Sequence, residues 1–108
     1  MLTITTENKN SHLIIILAGR VDASNAKTLE DETFSLINAG NTQLIIDLQD
    51  VNYVSSAALR VFLLIAKELT KVSGTIKLCG LSTTLRDVFD ISGFSKLFEI
   101  TATVEEAL

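Results

Sequence analysis

Leu44-Ile45-Ile46-Asp47-Leu48-Gln49-Asp50-Val51-Asn52-Tyr53-Val54-Ser55-Ser56-Ala57-Ala58-Leu59-Arg60 reads as a buried strand passed through a short loop into a long apolar helix. Leu44–Leu48 is a buried-type strand, and the helix is predicted from about Ser56 to Val72. Leu59, Val61, Phe62, Leu63, Leu64, Ile65 and Ala66 occupy a wide arc of that helix, broken only by Arg60, Lys67, Glu68 and Lys71. A helix of this kind is covered on more than one side. Ser56 falls at or next to its N-terminus, where unpaired backbone N–H groups and the positive end of the helix dipole accommodate a phosphate. A serine on such a turn can cap the helix, act as a nucleophile or carry a phosphoryl group.

Working outward, Leu2–Thr6 alternates as a short strand, and Glu7–Ser11 is polar and turn-like. Leu13–Ala18 is an unbroken apolar run, expected to be a central strand buried on both faces and paired with the first as an antiparallel hairpin. A helix begins from Asp22 or Ser24, either of which can N-cap it, and carries Ala26, Leu29, Thr33, Leu36 and Ile37 at helical spacing before Gly40. After the Ser56 helix, Ser73-Gly74 forms a stop and Thr75–Cys79 a further strand. Ser82, Thr83 or Thr84 caps a short helix through Ile91, Gly93 ends it, Lys96–Ile100 makes the last strand, and Thr103-Val104-Glu105-Glu106 is a capping-box pattern. Strands alternating with helices call for an α/β fold with a mostly parallel sheet, made mixed by the initial hairpin. The expectation is a sheet of four to five strands with about four helices.

Composition narrows the class. The 108 residues suit one domain spanning 1–108, and 47% apolar with 20% charged residues excludes disorder. Thirteen acidic against nine basic residues leave a net charge of −4, which argues against direct nucleic-acid binding. The N-terminus lacks a signal-peptide pattern, and no apolar stretch approaches a membrane span, so a free-standing cytoplasmic protein is expected. The single cysteine, Cys79, sits among strand residues and reads as a small buried hydrophobe.

The run Ser55-Ser56-Ala57-Ala58-Leu59 resembles the Asp-Ser-Ser-Gly-Leu-type signature of the STAS domain, specifically of stand-alone anti-sigma factor antagonists. Three further stretches carry the resemblance: Gly19-Arg20-Val21-Asp22, Ile76-Lys77-Leu78-Cys79-Gly80-Leu81, and Val88-Phe89-Asp90-Ile91-Ser92-Gly93-Phe94. It implies the STAS fold and a phosphorylation site at Ser56, with Ser55 as the alternative acceptor. It also implies a partner surface built from Asp22, Val54, Ser55, Ser56, Ala57, Ala58 and Arg60. The partners implied are a serine-kinase anti-sigma factor, which phosphorylates the antagonist with its own ATP, and a metal-dependent serine phosphatase that restores it. The antagonist is then a substrate without catalytic residues, cofactor or metal of its own. Two positions depart from the signature: Ser55 stands where the family usually has Asp, and Ala57-Ala58 where it has Ser-Gly.

Other chemistries find less support. Asp47 and Asp50 beside a serine read as a solvated turn with an Asx cap. His12 is the only histidine, so no multi-histidine zinc site exists, and a Ser-His-Asp triad would have to draw on a residue in an edge hairpin. The five glycines are scattered, without a phosphate loop. An aspartate-phosphorylated receiver domain lacks its second acid beside Asp22 and a lysine after Cys79. A STAS-fold scaffold, or a phosphate- or nucleotide-binding module without a serine switch, is the remaining alternative.

Overall fold

The computed structural model describes residues 1–108. In chain order it contains β1 (Leu2–Lys9), β2 (His12–Val21), α1 (Ala26–Asn38), β3 (Gln43–Val54), α2 (Ser56–Lys71), β4 (Thr75–Cys79), α3 (Thr83–Ile91), a 3₁₀ turn (Phe94–Lys96), β5 (Glu99–Thr101) and α4 (Val104–Ala107). The five strands form one sheet in the order β1-β2-β3-β4-β5. Only β1–β2 is antiparallel; the other three pairings are parallel, as helical crossovers require.

Strand alternation divides the sheet into two unequal faces. Leu13, Ile15 and Leu17 of β2, Leu44, Ile46 and Leu48 of β3 and Leu78 of β4 point to one side, where α1, α2 and α3 cover them. Leu29 and Ile37 of α1, Phe62 and Ile65 of α2, and Leu85 and Phe89 of α3 complete this core. Phe89 lies at its far end, 6.2 Å from Phe62 and 6.4 Å, edge-on, from Phe98. The wide apolar arc of α2 is thus shared between the sheet, α1 and α3. On the opposite face, Ile14, Ile45 and Cys79 form a small island roofed by Ala107, with Val104 and Leu108 beside it. The Cys79 thiol is buried there, and desolvation, then the nearby Asp47 and Glu105, push its pKa up to about 12. Lys77 straps the roof down, its Nζ donating to the Ala107 carbonyl at 2.8 Å.

Several boundaries differ from the sequence expectation. β1 runs to Lys9 rather than Thr6, because ladder pairing with β2 carries its polar end along. The connection shrinks to Asn10-Ser11, both at positive φ (50° and 67°), as a two-residue hairpin turn needs. β3 does not stop at Leu48. It continues to Val54 through two register shifts against β2, between Ile16 and Ala18 and between Gly19 and Arg20. Each shift adds one unpaired residue to β3, so the polar stretch expected as a loop is bulged strand. α1 begins at Ala26 behind Asn25, not behind Asp22 or Ser24, because those two residues form a separate turn. Gly93, at φ 81°, leads into the 3₁₀ turn, which takes up Lys96 and moves the last strand to Glu99–Thr101. At α4, Thr103 Oγ1 accepts the Glu106 N–H at 3.2 Å as expected, while the Glu106 carboxylate accepts from Ala102 rather than from the cap itself.

Thr33 of α1 is 1% exposed, and its hydroxyl has no hydrogen-bond partner. An unpaired buried hydroxyl is a standing cost. Thr33→Val, nearly the same in shape, is expected to stabilise the fold by about 1 kcal/mol, read as a higher urea midpoint at unchanged slope.

Candidate functional site

The site lies where β2 and β3 end together. Val21 pairs with Val54, and the Ser55 N–H donates to the Val21 carbonyl at 2.9 Å, one residue before Asp22. This backbone bond brings the Asp22 turn and the start of α2 to the same rim of the sheet. Ser55 is extended (φ −84°, ψ 172°) and is the N-cap of α2, its Oγ accepting the Ala58 N–H at 3.2 Å. Capping therefore falls to Ser55, and Ser56 is the first helical residue. Ser56 is exposed and Ser55 half-buried. Two adjacent serines thus divide the work: one hydroxyl closes the helix end and the other faces solvent. Ser and Asp serve almost equally well as caps, so Ser55 closes the helix end without adding a charge.

Ala58 is fully buried, whereas Ala57 is half-buried. Arg60, one turn on, is exposed and has no acid within ion-pair distance. It borders a groove between α1 and α2 lined also by Ala23, Lys27, Glu30, Ala57 and Leu64. Asp22 is half-buried, and its carboxylate accepts from both the hydroxyl and the N–H of Ser24. Those bonds, with Arg20 3.8 Å away, hold its pKa below the usual carboxylate range.

Three contributors escaped the sequence reading. Asn25 staples the turn, its Oδ1 accepting the Asp22 N–H at 3.0 Å and its Nδ2 donating to the Arg20 carbonyl at 2.9 Å. Arg20 lies over the ring of Tyr53 at 4.3 Å. Polar residues near Asp22 were a signal for Asn25; no periodicity announced that a bulge sets Tyr53 opposite Arg20.

The other candidates lie apart. Asp47 sits at the first bulge, its carboxylate accepting the Gln49 N–H at 3.0 Å, as an Asx-type turn does, and Asp50 makes no side-chain bond. No group of three or more His, Cys, Asp or Glu side chains is placed to hold a metal ion. His12 begins β2 while Val21, beside Ser55, ends it. The two ends are about 30 Å apart at strand rise, which removes the triad.

A family model described as the STAS domain matches residues 3–107. The chain belongs to the STAS domain family. Among its relatives is BtrV of Bordetella bronchiseptica, whose name proposes it as an anti-sigma factor antagonist; the two are 39% identical over 98% of this chain and 91% of the relative. The anti-sigma-B factor antagonist of Bacillus subtilis is 31% identical over 96% of this chain and 94% of its own. Among solved structures, the Bacillus cell fate determinant SpoIIAA in its phosphorylated form superimposes with a TM-score of 0.74 at 24% identity, covering 97% and 96% of the two chains. No helix of this STAS domain is long and apolar enough to cross a membrane.

Two outcomes follow from the rim geometry. Ser55→Ala should cost about 1 kcal/mol by loss of the cap while Ser55→Asp costs little, both read by urea denaturation. The lowered pKa of Asp22 means that the folded state takes up its proton only at lower pH than the unfolded chain. Its stabilisation is therefore complete above the unfolded carboxylate value of about 4 and is lost as pH falls through the folded value. Asp22→Asn should flatten that acid-side decline, followed as thermal midpoint against pH by circular dichroism.

Proposed function

We propose that this single STAS domain is an anti-sigma factor antagonist switched by phosphorylation of Ser56. The observation that carries the reading is the division of labour at the rim: the Ser55 hydroxyl is engaged as the α2 cap, and the Ser56 hydroxyl is exposed and unengaged. In the unphosphorylated state the rim surface of Asp22, Val54, Ser55, Ser56, Ala57, Ala58 and Arg60 binds a serine-kinase anti-sigma factor in the cytoplasm and frees its sigma factor. The names of the relatives support an anti-sigma factor as the partner.

The kinase transfers the γ-phosphoryl group of its ATP to Ser56 Oγ. A phosphoserine adds roughly −1.5 to −2 charges at neutral pH. At the first helical position that charge sits favourably against the α2 dipole, so the domain keeps its fold. The effect falls on the partner instead, which has to desolvate the phosphate to dock. A loss of about 3 kcal/mol is more than a hundredfold in affinity. A metal-dependent serine phosphatase removes the group. The antagonist acts as a binding module and a substrate, not as an enzyme.

Incubation with ATP and an anti-sigma kinase from the same genome tests this reading, with phosphopeptide mapping and a binding assay in parallel. Ser56→Ala should bind and remain unmodified, Ser56→Asp should bind at least a hundredfold more weakly, and Ser55→Ala should still be phosphorylated. Phosphate on Ser55 alone would move the switch, and equal binding by the wild type and Ser56→Asp would remove it.

A further inference from the structure

The second register shift of β3 has an unusual result. Val51 and Val54 both enter the core, and the two residues between them, Asn52 and Tyr53, both face solvent. Strict alternation would allow only one of two neighbours to do so. The shift also sets Tyr53 directly opposite Arg20 of β2. The guanidinium lies 4.3 Å from the ring centre, and its Nε is 3.8 Å from the Asp22 carboxylate. Tyr53 nevertheless stays 41% exposed, and the Arg20 side chain 53%. Of the other large exposed apolar side chains, Met1 lies at the chain start beside Arg20, whose N–H donates to the Met1 carbonyl at 3.3 Å, Val72 ends α2, and Ile91 and Leu97 flank the 3₁₀ turn. At the Ser56 rim the chain displays an aromatic ring with a cation over its face.

We infer that the Arg20–Tyr53 stack is a second, specificity-determining anchor for the same kinase partner, extending the docking surface from α2 over the sheet rim. The inference rests on the antagonist reading of Ser56. Two arguments carry it. The first is reach. Tyr53 is three residues before Ser56 in nearly extended chain, about 10 Å away at strand rise. An interface of ordinary size covers about 800 Å² per partner, a disc of about 16 Å radius. A partner centred on Ser56 therefore covers the stack. The second is chemistry. Tyr and Arg are, with Trp, the side chains enriched among residues that dominate binding energy. A stacked, ion-paired arginine is already ordered, so docking costs it little further rotamer entropy. The complementary partner surface presents an apolar side chain to the Tyr53 ring and a carboxylate or carbonyl acceptor to the free Arg20 donors.

The test measures affinity for the anti-sigma kinase, the KM and kcat of Ser56 phosphorylation, and the thermal midpoint, for the wild type, Tyr53→Ala, Tyr53→Phe, Arg20→Ala and the variant combining Tyr53→Ala with Arg20→Ala. Tyr53→Ala should weaken binding and raise KM at least tenfold while leaving kcat within about twofold. Tyr53→Phe should restore affinity to within about threefold, because the ring rather than the hydroxyl makes the stack. Tyr53→Ala and Arg20→Ala together should weaken binding less than the product of their separate effects. A purely structural stack would lower the midpoint of Tyr53→Ala and leave affinity and KM unchanged, which overturns the inference. Wild-type affinity in Tyr53→Ala with lost affinity in Ser56→Asp would also overturn it and leave the antagonist reading standing. A wild-type protein that neither binds nor is phosphorylated by such a kinase would overturn both.

Discussion

The parallel ladder between β2 and β3 is the constraint on which the rest depends. It joins the antiparallel hairpin to the parallel part of the sheet, and it ends in the bond from the Ser55 N–H to the Val21 carbonyl. That bond fixes where α2 begins, which decides which serine closes the helix and which is left to solvent. It also fixes the distance between the Asp22 turn and the α2 N-terminus. The main chain joins the two pieces, and the side chains of Asn25, Asp22 and Ser55 then shape each of them locally. Ser56 and Arg60 are left without a side-chain bond and face solvent.

The unequal faces of the sheet fit this arrangement. Three helices and the large core supply most of the buried apolar area on one side, from Leu13 to Phe98. The other side has only the island under α4, a helix of four residues that could not persist alone. Its stability is borrowed from Ala107 packing, the Thr103 cap and the Lys77 strap. The site lies between these two regimes, seated on the rigid face and open along the rim.

What the sequence made legible follows from where local and tertiary signals agree. The apolar runs of β2 and β4, the wide arc of α2 and the Ser82 cap of α3 are all local patterns that packing leaves intact. The serine pair was legible through its motif. The extension of β3 was not, because two bulges break the alternation by which a strand is recognised, and Asp50-Val51-Asn52 then resembles a loop. The start of α1 was misplaced for a related reason. Asp22 and Ser24 have the chemistry of caps but spend it on each other, while Asn25 turns its side chain back to Arg20 and Asp22. Cap chemistry names candidates, and only the path of the chain chooses among them. The Arg20–Tyr53 contact lies farther still from sequence, since it joins two strands through a register that the bulges set.

The two bulges of β3 also bear on how such a module diverges. Each takes up one residue without moving Leu44, Ile46, Val51 or Val54 out of the core. The rim can therefore change the identity and aim of its outward residues, even lose or gain one, while the interior keeps its alignment.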